Sequence, residues 1–296
     1  MQIFNLSSGH PVSESLMLRD EFQTGEFVLR TFPDGETYVQ ILSQPASKVV
    51  VFCDLSAPNG KLLPALLMAE TLKDLGVAEV ILVTPYLPYM RQDIRFKEGE
   101  GITSRYFAKI ISASFDRLVT VDPHLHRYHS LDEIYSIPSQ VLSAAPAIAD
   151  WIRREVPEGV IVGPDSESDQ WVSSVAAMAG CEQVVFNKIR SGDKEVAVSV
   201  KHSVSDGYLS SYVNHTPIMV DDIISTGRTM IQAAQEMVAA GMRPPVCIGV
   251  HALFADDAWE AMEEAPLAGI VSCNSIPHPT NRVDLAGIIA QALLEL

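Results

Sequence analysis

The feature that most constrains this chain is the order of its apolar runs. Short β-branched runs at residues 49–53 (VVVFC), 80–83 (VILV), 118–121 (LVTV), 160–162 (VIV), 218–220 (IMV) and 246–250 (VCIGV) are separated by helical patterns near 61–75, 104–113, 141–155, 169–179, 228–240 and 283–294. Such alternation predicts βαβ units, an α/β fold and mostly parallel sheets flanked by helices. Sheets of this kind bind ligands outside the carboxyl ends of their strands, so chemistry is sought just after each strand. At 296 residues the chain holds roughly two domains of about 150 residues each.

A faint internal repeat supports two domains. Residues 49–76 (VVVFCDLSAPNGKLLPALLMAETLKDLG) and 217–241 (PIMVDDIISTGRTMIQAAQEMVAAG) both read strand, Asp, small-residue loop, helix, Gly. A supersecondary form this common in α/β proteins also arises by chance; the preferred reading is a duplicated domain in which only the second loop is fully equipped. The break then falls near 136–145, dividing the chain into 1–143 and 144–296.

Charge narrows the partners. With 37 acidic against 21 basic residues the formal charge is −16, so phosphate backbones repel the chain and general nucleic-acid binding is excluded. No apolar run approaches the ~20 residues of a membrane span, and the N-terminus lacks the basic and apolar regions of a secretory signal, so a cytoplasmic, membrane-free protein is expected. Cys53, Cys181, Cys247 and Cys273 stand apart in apolar stretches without metal-ligand spacing, as buried reduced thiols do. One window is locally basic: residues 86–130 carry Arg91, Arg95, Lys97, Arg105, Lys109, Arg117 and Arg127. Arginines there suit a phosphate ligand through charge-assisted contacts; a solvated loop with surface ion pairs is the bland alternative.

The strongest signal is Met219-Val220-Asp221-Asp222-Ile223-Ile224-Ser225-Thr226-Gly227-Arg228-Thr229. An apolar strand ends in two carboxylates, and a Ser/Thr/Gly turn then opens a helix. Thr226, Gly227 and Thr229 can offer N–H and hydroxyl donors to a phosphate, aided by the positive helix end. The carboxylates can accept from vicinal sugar hydroxyls, so the whole suits a ribose carrying a 5-phosphate. An ordinary helix capped by Ser225 or Thr226 is the alternative, though it needs no acidic pair. Elsewhere, Phe32-Pro33-Asp34-Gly35-Glu36 reads as a turn between strands. His124 and His126 follow the 118–121 strand and face one way if the chain stays extended, which Pro123 favours. Near a triphosphate, Mg²⁺ held by few protein groups is more plausible there than a transition metal. Lys188 and Arg190 alternate along an extended segment before a turn-like Ser-Gly-Asp-Lys, and two cations there could neutralise charge on a transferring group; a solvated strand end is the alternative.

VDDIISTGRT resembles the phosphoribosyl-pyrophosphate (PRPP) binding loop of type I phosphoribosyltransferases and of ribose-phosphate pyrophosphokinases. Five further segments point to the pyrophosphokinases: FPDGE at 32–36, PYLPYMRQD at 85–93, VDPH at 121–124, GPD at 163–165 and KIR at 188–190. They occur in the family's order, and the RQDIRFKEGE stretch is closest to a divergent, archaeal-like branch. The resemblance implies two similar phosphoribosyltransferase-type domains, the first on the ATP side and the second on the ribose 5-phosphate side. It implies ATP on Phe32, Asp34, Gly35, Glu36, Arg91, Gln92 and Arg95, with the 32–36 segment reaching a neighbouring subunit of a homo-oligomer. Ribose 5-phosphate would sit on Arg190, Asp221, Asp222 and Ser225 to Thr229, Mg²⁺ on His124 and Asp165, and catalysis would rest on Lys188 and Arg190. The product would be PRPP for nucleotide biosynthesis. Two departures stand out: Ser225 and Arg228 occupy positions where Asp and a small residue are usual, and Ser166-Glu167-Ser168-Asp169 replaces a small-residue stretch. A phosphoribosyltransferase consuming PRPP is a rival that RQD, DPH and KIR count against; a catalytically silent regulatory subunit is another, opposed by the intact Lys188, Arg190, His124 and Asp165.

Overall fold

The computed structural model describes residues 1–163, 169–185, 212 and 214–296. These form two compact α/β units. Unit 1 comprises residues 1–143, 275–277 and 285–296; unit 2 comprises 144–274 and 278–284.

Unit 1 is built on β1 (Gln2–Asn5), β2 (Gln23–Thr24), β5 (Lys48–Phe52), β6 (Glu79–Val83), β7 (Arg117–Val121) and β8 (Ser139–Leu142), all parallel and ordered β2-β1-β5-β6-β7-β8. Between β2 and β5 the chain inserts an antiparallel hairpin, β3 (Phe27–Thr31) and β4 (Thr37–Ile41). Unit 2 holds β9 (Gly159–Gly163), β10 (Glu182–Val185), β11 (Thr216–Ile224), β12 (Val246–Ala252), β13 (Gly269–Cys273) and β14 (Asn281–Val283), again all parallel, ordered β10-β9-β11-β12-β13-β14. With the hairpin set aside, the two strand orders are the same. The internal repeat therefore marks equivalent places: β5 with α2 (Leu62–Asp74), and β11 with α6 (Arg228–Ala239), are each the third sheet strand of a unit and the helix after it.

The strands show why they pair this way. In β5, β6, β7 and β9 nearly every side chain is buried, as a parallel sheet covered on both faces requires. The helices supply the cover through one stripe each. Ala65, Met68, Ala69 and Leu72 of α2, with Phe107, Ala108 and Ile111 of α3 (Thr103–Ser114), are buried in unit 1. Met230, Ala233, Ala234 and Met237 of α6, and Ile148, Ala149 and Ile152 of α4 (Ala145–Glu155), do the same in unit 2, where α5 (Asp169–Ala179) packs on α4. Each fully buried large side chain contributes about 1.5–3 kcal/mol.

The last segment crosses back. After α7 (Ala258–Glu263), β13 and β14, the C-terminal α8 (Ala286–Leu294) packs on α1 (Pro11–Met17) and beside β8, burying Ile289, Ala290 and Leu293. Lys48 Nζ donates to the Leu296 carbonyl at 2.8 Å. Of the four cysteines, Cys53, Cys247 and Cys273 are buried and Cys181 is half-buried, and none forms a disulfide. Among the described residues no helix is long and apolar enough to cross a membrane.

His10 caps α1 from the segment joining it to β1. Its Nδ1 accepts from the Val12 N–H (3.3 Å), so Nε2 carries the proton and donates to the Ser275 carbonyl at 3.3 Å. Burial lowers its pKa, with the nearby Asp54 charge opposing the shift. A depressed histidine pKa means the unfolded chain takes up a proton first, so its contribution is complete above about pH 6.5 and falls as the pH drops toward the folded value. His10→Asn, which keeps an N-cap acceptor, should flatten the acid side of the stability curve; equal slopes in wild type and variant below pH 6.5, measured by thermal unfolding, would refute this assignment.

Candidate active site

In unit 2 the order of strands reverses direction between β9 and β11, which makes the carboxyl ends of those strands the switch-point crevice. Strand β11 runs further than expected. It continues past Val220 to Ile224, so Asp221 and Asp222 lie inside it rather than after it, and as successive strand residues they address opposite faces. Asp221 turns one oxygen back to the Asp222 N–H at 2.9 Å. Below it, burial together with the Asp221 charge pushes the Cys247 thiol pKa far up, which keeps that thiol neutral.

Ser225, Thr226 and Gly227 then make the turn, and Arg228 and Thr229 begin α6. Gly227 caps the helix with φ +67°, and a Cβ there would meet Met262 Sδ of α7 at 2.7 Å. Both facts demand glycine. Thr226, Arg228 and Thr229 are exposed, while Asp221, Asp222 and Ser225 are half-buried. A neighbouring loop holds this turn in place: Leu253 and Phe254 donate to the Ile224 carbonyl (3.0 and 3.1 Å) and Ala255 to the Ser225 carbonyl (2.9 Å). Asp257, at the end of that loop, takes both carboxylate contacts from one Arg228 Nη at 2.6 Å. The sequence reading missed this loop; its signal, the acidic Asp256-Asp257 pair just after a strand, was present in the chain.

The residues that the resemblance gives to ATP lie in unit 1, in two separate places, a hairpin tip and a loop. Phe32 to Glu36 form the exposed tip of the β3–β4 hairpin, closed by Phe32 N–H to Glu36 O (2.7 Å) and Gly35 N–H to Phe32 O (2.9 Å), with Gly35 at φ +95°. The Glu36 N–H donates to Asp34 Oδ1 at 3.2 Å. Arg30 lies over the rings of Phe32 (4.5 Å) and Tyr38 (4.2 Å), which stiffens the tip by cation–π contact. Arg91, Gln92 and Arg95 belong to the loop between β6 and α3. Gln92 accepts from the Thr103 hydroxyl (3.1 Å), and Arg95 Nε donates to the Glu100 carbonyl (2.9 Å). Glu100 also receives the Phe96 and Lys97 N–H groups. The anchor is Asp93, buried at 3% exposure and matched by Arg127 Nη1 at 2.9 and 3.1 Å. Such burial of a carboxylate needs this partner.

The two histidines after β7 come together, but not as an extended chain. Asp122 and His124 adopt left-handed backbone (φ 34° and 41°), with His124 N–H to Asp122 O (2.9 Å) and His126 N–H to His124 O (3.2 Å) closing successive tight turns. The rings nonetheless lie 3.9 Å apart, centroid to centroid. Strained non-glycine backbone of this sort concentrates at functional sites. Asp165, Lys188 and Arg190 lie outside the described residues.

Comparison with known proteins gives the family. The N-terminal domain of ribose phosphate pyrophosphokinase matches residues 1–114, and the phosphoribosyl transferase domain matches residues 130–286. A ribose-phosphate pyrophosphokinase of Methanopyrus kandleri is 31% identical, over 90% of this chain and 89% of its own. The chain belongs to the ribose-phosphate pyrophosphokinase family. A second relative of that name, from Pyrococcus abyssi, is 30% identical over 89% of this chain and 88% of its own. The fold of a pyrophosphokinase relative is seen in the crystal structure of phosphoribosylpyrophosphate synthetase from Mycobacterium smegmatis, with a TM-score of 0.81 at 22% identity over 99% of this chain and 98% of that one. Membership makes this chain an enzyme of diphosphoryl transfer and accounts for its two units of like strand order.

Within this family member, Gly227 offers a direct test of the turn. Gly227→Ala should lower stability by about 1–3 kcal/mol, because both the left-handed backbone and the Met262 contact oppose a Cβ. Measured against Met262→Ala alone, the cost of Gly227→Ala should shrink to its backbone part, since the Met262 contact is gone. A wild-type melting temperature for Gly227→Ala would show that the turn relaxes freely.

Proposed function

We propose that this chain transfers the β,γ-diphosphoryl group of ATP to the anomeric hydroxyl of ribose 5-phosphate, giving PRPP and AMP. The observation that carries this reading is the Ser225–Thr229 turn between β11 and α6, at the switch point of a parallel sheet. The turn offers backbone N–H groups, the exposed Thr226 and Thr229 hydroxyls and the positive end of a helix twelve residues long, which are the donors an anion takes. Asp221 or Asp222, which address opposite faces of β11, accepts from the sugar hydroxyls. Arg190 assists on the sugar, and Lys188 stabilises the group in transfer. Phe32, Asp34, Gly35, Glu36, Arg91, Gln92 and Arg95 hold ATP, so nucleotide recognition belongs to the first domain (1–143) and sugar recognition to the second (144–296).

The donors suit Mg²⁺ in the way the family implies. His124 and Asp165 are the proposed protein ligands, a sparse set that leaves most of the coordination to phosphate oxygens and water, as Mg²⁺ prefers. Bound there, the ion would neutralise charge on the triphosphate oxygens. The rest is positioning: diphosphoryl transfer needs in-line placement and charge neutralisation more than a covalent nucleophile.

A homo-oligomer with a shared ATP site is part of the proposal. The hairpin tip is exposed at every residue from Phe32 to Glu36. On unit 1, Leu63 (55% exposed) and Leu67 stand one turn apart on α2, and Tyr106 (50%) and Ile110 (43%) one turn apart on α3. Apolar side chains repeated on exposed helix faces favour burial against another copy.

AMP formation from ATP with and without ribose 5-phosphate tests the reaction. Sugar-dependent AMP supports the reading; a phosphoribosyltransferase or a silent subunit would give none. Lys188→Ala should cut kcat about a hundredfold, the ~3 kcal/mol expected of one lost transition-state contact. Near-normal turnover in that variant would remove Lys188 from the mechanism. Chains inactivated by Glu36→Ala and by Lys188→Ala should regain part of the activity when mixed, because each carries the half the other lacks. Verified mixed oligomers without activity would argue for sites confined to single chains.

A further inference from the structure

The loop from Leu253 to Asp257 is more elaborate than a connection between β12 and α7 requires. Two of its non-glycine residues, Phe254 and Asp256, have left-handed backbone (φ 41° and 57°), a conformation that persists only where surrounding contacts impose it. The contacts are present. Phe254 sits among the rings of Trp259 and His278 at centroid distances of 5.3 and 4.5 Å, and those two rings are 4.9 Å apart. Burial lowers the His278 pKa, which favours the neutral ring within this cluster. The three N–H groups given to Ile224 and Ser225 dock the loop onto the start of the phosphate turn. The stretch 253–255 is thus fixed twice, by its backbone hydrogen bonds and by the ring contacts of Phe254, and two residues further on the loop delivers a single carboxylate, Asp257, to Arg228.

That pairing has an unusual form. Arg228 and Asp257 are 56% and 68% exposed, so the ion pair adds little to the stability of the fold. A strained, anchored loop is out of proportion to so weak a contact. An acidic side chain beside a turn that binds a phosphate is also unfavourable by itself, since like charges repel. Both difficulties vanish if the carboxylate works through the arginine. Both contacts fall on the same Arg228 Nη, so the guanidinium is gripped at one end while its Nε and other Nη lie outside that grip. A guanidinium offers five donors in a planar fork, and a phosphate takes two of them in parallel. Held this way, Arg228 is biased toward one orientation before the ligand arrives, which reduces part of the ordering cost of binding.

We propose that Asp257 is a positioning residue that aims Arg228 at the 5-phosphate of the sugar substrate, with the strained Leu253–Asp257 loop as its mount. The proposal rests on the reading of the Ser225–Thr229 turn as the ribose 5-phosphate site. Asp257 touches neither substrate nor metal; its effect passes through Arg228.

The test is a double-mutant cycle read by steady-state kinetics of the full chain with ATP, Mg²⁺ and ribose 5-phosphate. Asp257→Asn keeps the shape and removes the charge. It should raise KM for ribose 5-phosphate about three- to tenfold, with kcat and KM for ATP unchanged. Arg228→Ala should raise the same KM at least as far, and adding Asp257→Asn to it should do nothing more. Asp257→Glu, which restores the carboxylate, should recover part of the loss, whereas a purely structural role would show as parallel changes in kcat and melting temperature. An unchanged or lowered KM in Asp257→Asn overturns the proposal, and so does an equal effect of Asp257→Asn with and without Arg228. Thermal unfolding of each variant verifies the fold, and Arg228→Lys supplies a second entry to the cycle should Arg228→Ala fold poorly. Failure of the underlying reading is distinct: the wild-type enzyme would then form no AMP that depends on ribose 5-phosphate.

Discussion

A parallel sheet has a direction, and everything chemical in this protein follows from that direction. Parallel strands hydrogen-bond to each other only if the chain returns across a face of the sheet between them, so both faces acquire helices and both edges of the layer become unlike. All carboxyl ends then lie on one side, where loops are free to differ while the strands beneath them cannot. In unit 2 this places the ends of β9, β11 and β12 side by side, and the three N–H groups of the loop after β12 reach the end of β11 because the β11–β12 register puts Ile224 opposite Ala252. The Ser225–Thr229 turn is held by sheet geometry before any side chain is considered.

The two units show the same scaffold under different loads. After β5, Asp54 occupies the position that the acidic pair occupies in β11, but its carboxylate is already consumed. It accepts from the Ser56 N–H (2.9 Å), the Ser56 hydroxyl (2.8 Å) and Lys61 Nζ (2.6 Å), and only 8% of the residue is exposed. The loop closes on itself, with Ala57 left-handed at φ 51°. In unit 2 the corresponding turn has Gly227 in place of such a closure and leaves Thr226 and Thr229 exposed. One duplicated element has thus become a self-satisfied corner and the other an open cradle, which is the asymmetry that the bare sequences of the two loops suggest.

How much of this was legible from residues alone depended on the range of the interaction. Strands such as residues 80–83 and 160–162, and helices such as 228–240, match β6, β9 and α6 within a residue or two, because an unbroken apolar run or a 3.6-residue stripe is a local property. Strands β2 (two exposed residues) and β14 (three residues) were not legible, since their identity comes from the neighbour they pair with. The helical pattern at 283–294 does mark α8, but the return of residues 285–296 to unit 1 was invisible, because that pattern does not say which unit the helix packs on. Among the candidate site residues the contiguous turn from Asp221 to Thr229 could be read directly. The acidic pair at 256–257 is visible in the chain, but its pairing with Arg228 is not, as the two meet across 29 positions of sequence. The histidines show a third case: their proximity was anticipated, but from an extended backbone that the left-handed Asp122 and His124 replace.

Charge makes the last demand on this architecture. A chain of formal charge −16 that handles anionic ligands cannot draw them in from a distance, since its mean field repels them, and at physiological ionic strength any local attraction fades within about 8 Å. Nor do its cations near the strand ends act as a free positive cloud. Arg127 is committed to Asp93, Lys61 to Asp54 and Arg228 to Asp257. Each pairing offsets the local positive charge and in exchange biases where the donors point. The N–H groups of the Ser225–Thr229 turn and the first turn of α6 add a positive end that carries no net charge to be cancelled. On the proposed reading recognition is therefore short-range and geometric: an anion would be held where its oxygens meet donors that these pairings and the sheet have already set in place.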